Sequence, residues 1–312
     1  MSTGLITHSA CLGHVPPLGH PESPDRLRAV LHGLETERFQ DLVRLEAPVV
    51  GEEDIGRAHG QELIDSIRQL ALAARDRGIV HIDADTALSA GSLDAALRAA
   101  GAVVEAVDQV HAGRLRNAFC AVRPPGHHAE SARAMGFCLF NNIAIGALRA
   151  RVVHGYRQIA VVDFDVHHGN GTQDILGADA HAFYASSHQW PFYPGTGSGS
   201  DHGIARFVVN VPLSAGSGST EFRAAYEETI LPALTRFAPD FVFISAGFDA
   251  HYADPLAQLR LREDDFGWVT KAICAVAARS CDGRVVSALE GGYDLEALSR
   301  SAAAHVRALM EA

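Results

Sequence analysis

Three separated segments carry side chains able to bind a metal ion or move a proton, each just after a strand-like apolar run. They are Val161-Val162-Asp163-Phe164-Asp165-Val166-His167-His168, Ser245-Ala246-Gly247-Phe248-Asp249 leading to Asp254-Pro255, and Pro124-Pro125-Gly126-His127-His128. Side chains two apart on an extended segment point the same way, so Asp163, Asp165 and His167 share one face. Two carboxylates and an imidazole at a strand end are costly to desolvate unless a cation or dense hydrogen bonding compensates. Asp165 and His167 can meet one ion. Asp254 is expected as the third ligand, because Pro255 biases its backbone toward an extended form and fixes the direction of the carboxylate. One His and two carboxylates with open positions suit a catalytic zinc ion. Iron(II) accepts the same donors and competes with it.

His127 and His128 are neighbours, so a regular strand would aim them to opposite faces. Pro124-Pro125-Gly126 breaks that regularity and lets both imidazoles approach one cavity as a proton-transfer pair. Tyr293 follows Gly291-Gly292 at the end of another apolar run, Val285 to Leu289. There its hydroxyl can donate to a developing oxyanion. Cys138 is expected to be structural, since no separate Cys/His relay accompanies it. Together these segments describe one metal-dependent hydrolase site.

The elements that must position these groups are legible from periodicity and punctuation. Helices are predicted over residues 24–37 (with Ser23 as N-cap and Pro24 at the first helical position), 93–110, 141–153, 221–237 and 295–310. Strands are predicted over 118–122, 158–164, 241–245 and 285–289. Strands alternating with helices give an α/β fold, one open and mainly parallel sheet with helices on both faces. Sites in such sheets lie beyond the carboxyl ends of the strands. No linker divides the chain, so residues 1–312 are expected to form a single catalytic domain. The Gly/Ser stretch 195–200 is a loop; no Lys-Ser/Thr follows it, as a phosphate-binding loop would require.

The 312 residues are 47% apolar and 20% charged, which is ample for a core and unlike a disordered chain. The formal net charge of −11, with no Lys/Arg-rich block, argues against direct nucleic-acid binding. No transmembrane run or signal peptide is read. The five scattered cysteines fit a reduced compartment, so a cytoplasmic location is the expectation. The Asn170-Gly171-Thr172 sequon therefore carries no weight. Oligomeric state, including a homo-oligomer, stays open.

At this point the chain resembles the zinc-dependent histone deacetylase family, which includes acetylpolyamine amidohydrolases and acetoin-utilisation proteins. The resemblance covers essentially the whole chain. It rests on His20-Pro21-Glu22-Ser23-Pro24, Arg123-Pro124-Pro125-Gly126-His127-His128, Gly136-Phe137-Cys138, Asp163 through Gly169, Tyr193-Pro194-Gly195-Thr196-Gly197, Asp254-Pro255 and Glu290-Gly291-Gly292-Tyr293. Glu290-Gly291-Gly292-Tyr293 and Asn170 look like the class II-like branch common in bacteria. The resemblance implies an arginase/deacetylase-like fold, with Asp165, His167 and Asp254 as zinc ligands. It implies His128 as general base, His127 as its electrostatic partner, Asp163 bonded to His127, and Asn170 orienting His128. Because Asn carries no charge where class I members usually have Asp, it puts the basicity of His128 in question. Tyr293 would polarise the amide carbonyl. Phe137 and Tyr193 would wall a narrow channel lined by Gly136 and Gly291. A potassium ion would sit near Asp163, Asp165, His167, Ser186 and Ser187.

The implied reaction is hydrolysis of an N-acetyl amide. Leu261, downstream of Asp254, stands where polyamine-selective relatives place an acidic gatekeeper, so acyl-lysine in a peptide or protein is the favoured substrate. Small acetylamines such as acetylpolyamines are the alternative. Asp85, in Ile82-Asp83-Ala84-Asp85-Thr86, is placed at the channel rim, either holding a substrate backbone N–H or merely solvated. A catalytically idle acyl-lysine binder is disfavoured because every expected metal and acid–base position is filled. A two-manganese ureohydrolase is disfavoured because its ligand pattern is missing.

Overall fold

Eight strands form one wholly parallel sheet in the computed structural model, which describes residues 2–312. In chain order the strands are β1 (Thr3–Thr7), β2 (Val43–Glu46), β3 (Val80–His81), β4 (Ala87–Leu88), β5 (Asn117–Cys120), β6 (Ile159–Asp163), β7 (Ala182–Gln189), β8 (Val208–Leu213), β9 (Phe241–Ala246) and β10 (Val285–Leu289). Strands β3 and β4 make a separate antiparallel hairpin, and the large sheet runs β2-β1-β5-β10-β9-β6-β7-β8. Strands β5, β6, β9 and β10 are buried at every position, so both faces of the sheet are covered.

The covering helices follow the predicted pattern. They are α1 (Pro24–Gly33), α2 (Glu52–Ala58), α3 (Gln61–Arg77), α4 (Ser92–His111), α5 (Asn142–Val152), α6 (Asn170–Leu176), α7 (Ser219–Ala224), α8 (Leu231–Phe237), α9 (Glu263–Ser280) and α10 (Leu295–Met310). Helices α4 and α5 pack together against the central strands, while α1, α9 and α10 form a second group. A π-helical stretch, Ala225–Ile230, joins α7 to α8 into the helix expected over 221–237. Ser23 has the extended N-cap backbone and Pro24 opens α1, but the Ser23 side chain makes no capping bond. Asn141 and Asp294 do cap, accepting from Ala144 N–H at 3.0 Å and Ala297 N–H at 2.8 Å.

The sheet order decides the site. Strands β5, β10, β9 and β6 are consecutive neighbours, and parallel pairing sends all four carboxyl ends to one edge. The chain just beyond them carries His127–His128, Glu290–Tyr293, Asp249–Asp254 and Asp165–His168 respectively. Phe164 turns into the core behind this edge, its ring 6.0 Å from Phe248 and 5.9 Å from Phe266. Burying such a ring contributes about 1.5–3 kcal/mol and anchors the turn after β6.

Candidate active site

The strand parity expected of Asp163, Asp165 and His167 holds only to Asp163, where β6 ends. Beyond it the backbone curls back on its own side chains. Asp163 Oδ1 accepts Asp165 N–H at 3.1 Å, and Asp165 Oδ1 accepts His167 N–H at 2.9 Å. These carboxylate turns, rather than the pleat, bring the three groups together.

Ligand atoms of Asp165, His167 and Asp249 lie within 4.8 Å of one another, all buried. His167 Nδ1 is 3.0 Å from Asp165 Oδ1 and 3.2 Å from Asp249 Oδ2. The pattern predicts Asp254 as the third ligand, and the structure adds Asp249 as a second candidate. Asp249 directly follows β9 and reaches the cluster, whereas Asp254 lies past the turn after it. One oxygen of Asp254 accepts Tyr293 N–H at 2.7 Å and the other Leu256 N–H at 3.0 Å. Burial, with the neighbouring Asp165 charge, pushes the Asp249 carboxyl up to about 6. Burial and Asp249 push Asp254 up to about 7. For Asp165, the imidazoles of His127 and His167 outweigh burial and lower its carboxyl far below the usual range.

This donor set fits a divalent cation. Asp165 and Asp249 are fully buried and Asp254 is 6% exposed, yet among the described residues no Lys or Arg pairs with any of them. Gly291 closes the cradle: its N–H donates to Asp165 Oδ2 at 2.8 Å, and a Cβ there would overlap Asp249 Oδ2. No side chain larger than hydrogen is compatible with that approach.

The two histidines lie side by side, ring centroids 4.0 Å apart, but their surroundings separate their protonation. His127 Nδ1 bonds Asp163 Oδ2 at 3.0 Å. Burial opposes its charge, but Asp165 and Asp163 overcome this and raise His127 to about 10. His128 is held well below its ordinary value by burial, by the charge of His127 and by that of His167. His128 Nδ1 is 2.8 Å from Asn170 Oδ1. Asn170 Nδ2 donates to Glu130 Oε1 at 2.7 Å, so Oδ1 is the acceptor toward His128. His128 therefore carries its proton on Nδ1 and leaves Nε2 free. Pushing two adjacent groups apart in this way separates a base from an acid.

Tyr293 stands over Arg26, whose guanidinium carbon is 4.8 Å from the ring centroid. Burial outweighs that positive charge and raises the phenol well above 10, so it remains a hydrogen-bond donor. Phe137 meets Tyr293 edge-on at 6.0 Å, and Tyr193 meets His128 edge-on at 5.2 Å. Gly136 and Phe137 both have positive φ, 58° and 68°. A Cβ on Gly136 would lie 2.5 Å from His128 Cδ2, which makes glycine a condition for seating the base. Glu22, on the His20–Pro24 segment, is fully buried between Arg26 (3.0 Å) and Arg123 (2.5 Å). Arg26 also donates to the Glu290 and Gly292 carbonyls, both at 2.5 Å. This ion network ties the segment before α1 to both the histidine and tyrosine segments.

The histone deacetylase domain profile matches residues 20–309, which carry all of these groups. The chain belongs to the histone deacetylase family. It is 39% identical over 325 residues to histone deacetylase 14, chloroplastic, of Arabidopsis thaliana, covering 98% of this chain and 76% of that protein. It is 38% identical to the histone deacetylase-like amidohydrolase of Pseudomonas aeruginosa, covering 88% and 73%. The crystal structure of the HDA15 HD domain superposes with a TM-score of 0.93 at 35% identity, covering 99% of this chain and 88% of that one. The protein is thus a deacetylase, a hydrolase acting on amides, on the expected deacetylase-like α/β fold.

Leu261, Ser186, Ser187 and Asp85, the other expected site residues of this deacetylase, have these surroundings. Leu261 is fully buried, packed in the hydrophobic core with its N–H donating to Ala250 O at 3.0 Å. Ser186 Oγ bonds His188 Nδ1 at 2.9 Å and Ser187 Oγ is 3.2 Å from Tyr226 Oη. Asp85 is linked to Phe137 through Thr86: its Oδ1 accepts from Thr86 Oγ1 at 3.0 Å, and Thr86 Oγ1 accepts Phe137 N–H at 3.1 Å. Sequence reasoning missed Phe192, which stacks on His167 at 5.3 Å and 18°. It also left Asp249 unassigned, although Asp249 follows β9 just as Asp165 follows β6.

Proposed function

We propose that this deacetylase removes the acetyl group from acetyl-lysine side chains in peptides or proteins. The observation that carries the proposal is the aromatic setting of the base. Tyr193 meets His128 edge-on and Phe137 meets Tyr293 edge-on, which offers apolar ring surface suited to a methylene stem. Half-buried Asp85 stands next to that wall, where a substrate backbone N–H would pass.

Asp165 and His167 would hold zinc together with a carboxylate from Asp249 or Asp254; iron(II) fits the same donors. When bound, the ion supplies Lewis acidity toward the acyl oxygen and the attacking water. His128 Nε2 takes the proton of that water as its oxygen bonds to the acyl carbon. The Tyr293 hydroxyl donates to the oxyanion that develops. The carbon–nitrogen bond then breaks, and His128 Nε2 returns the proton to the departing amine. His127 keeps its own charge against Asp163 and fixes the electrostatics of His128.

Tyr293→Phe is expected to lower kcat by about 10²–10³-fold, the scale of one oxyanion donor, with metal content unchanged. Turnover near wild type would remove Tyr293 from this role. Asp83 and Asp85 together favour a second substrate class, small cationic acetylamines, because both acids flank the same entrance loop. Steady-state kinetics on an acetyl-lysine peptide and on acetylspermidine separate the two. The peptide is expected to show at least about tenfold higher kcat/KM, equivalent to about 1.4 kcal/mol in transition-state binding. The opposite ratio would assign the enzyme to acetylamines.

A further inference from the structure

Glu290 is fully buried, and no Lys or Arg side chain among the described residues pairs with it. One of its oxygens, Oε2, accepts two consecutive backbone donors, Gly126 N–H at 2.6 Å and His127 N–H at 3.1 Å. Those are the first donors available after Pro124 and Pro125, which have no N–H. The other oxygen, Oε1, has no partner. An unpaired buried acceptor carries a desolvation penalty that an apolar side chain would avoid. The carboxyl group is thus retained against its own cost, and what it contributes is the grip of Oε2 on the histidine segment.

The geometry points to Glu290 as a positioning residue that sets the His127–His128 backbone, and through it the aim of His128 Nε2, for amide hydrolysis. This rests on the roles given above to His128 and His127. The grip depends on an acceptor oxygen at the right reach, and charge is dispensable for it. Burial pushes Glu290 up to about 7, with His127 and the two N–H groups opposing. Either protonation state keeps a carbonyl-type oxygen, and so does glutamine. Aspartate, one methylene shorter, withdraws that oxygen by about one carbon–carbon bond, ~1.5 Å.

The test compares Glu290→Ala, Glu290→Gln and Glu290→Asp for kcat, KM and metal content on an acetyl-lysine peptide and on acetylspermidine. Hydrogen exchange of the Gly126 and His127 amides is followed alongside. Ala and Asp are expected to lose at least about tenfold in kcat, approaching the ~10²-fold cost of an ångström-scale misplacement, with KM and metal content unchanged. Gln is expected to recover kcat to within about threefold of wild type. The two amides should exchange slowly in wild type and Gln and fast in Ala. Loss in Gln as deep as in Asp, or Ala within threefold of wild type, would overturn the assignment. If Ala does not fold, the Gln–Asp comparison decides. A wild type inactive on both amides would sink the functional reading instead, and amide exchange would still decide whether Glu290 holds the segment.

Discussion

His128→Ala is expected to reduce kcat by about 10²–10⁴-fold, the range associated with a positioned general base, while the bound metal is retained. The expectation follows from how its two nitrogens are used. Asn170 Oδ1 accepts the Nδ1 proton at 2.8 Å, which leaves Nε2 with a lone pair. Burial and two neighbouring imidazoles keep the ring neutral, so that lone pair is available throughout the neutral range. His127 cannot substitute. Asp163 and Asp165 stabilise its imidazolium, and a nitrogen that already carries a proton accepts none. Asn170, a neutral acceptor, fixes the tautomer of His128 but adds no negative charge to raise its basicity. Metal content by elemental analysis together with single-turnover rates checks the expectation. A His128→Ala enzyme within tenfold of wild type would exclude His128 as the base.

Asp165→Ala is expected to weaken metal binding by more than about 100-fold, beyond the 10–100-fold typical of residues that only orient a ligand. Asp165 faces His167, His127 and the Gly291 N–H at once, and nothing else replaces its oxygen. The same measurement on Asp249→Ala and Asp254→Ala assigns the third carboxylate. A loss beyond 100-fold marks the ligand, and a smaller one marks a residue that orients it. Affinity is also expected to fall as pH drops. The metal-free site holds protons on Asp254 below about 7, on Asp249 below about 6 and on His167 below about 10. A cation must displace the protons of the groups that ligate it, so each such proton weakens binding about tenfold per pH unit below its pKa. Titration at pH 5 and 8 that gives equal affinity would refute this charge assignment.

Much of the site was legible because its residue types are chemically exceptional in their context. Asp163, Asp165, His167, the histidine pair and Tyr293 each follow an apolar run, and that placement alone predicts a strand-end site. The α5, α10, β6, β9 and β10 segments were legible for a similar reason, since hydrophobic periodicity and caps are local. Strands β1, β2, β7 and β8 and helices α3 and α9 were not read. Strands β1 and β2 are only five and four residues long, whereas α3 carries apolar residues at helical spacing, Leu63, Ile64, Ile67, Ala71 and Ala74, a legible signal left unread.

The sequence by itself determined the chemistry: which side chains can bind a cation, which can move a proton, and that they end up at strand termini. Only the tertiary structure decided which of them meet. It set β5, β10, β9 and β6 side by side, brought Asp249 rather than Asp254 against His167, and sank Leu261 in the core. It also placed Glu290 under the histidine segment. The physical reason is range. Propensity, parity and capping act over a few residues, whereas sheet order and side-chain burial depend on contacts between segments tens to more than a hundred residues apart, and no local pattern encodes those.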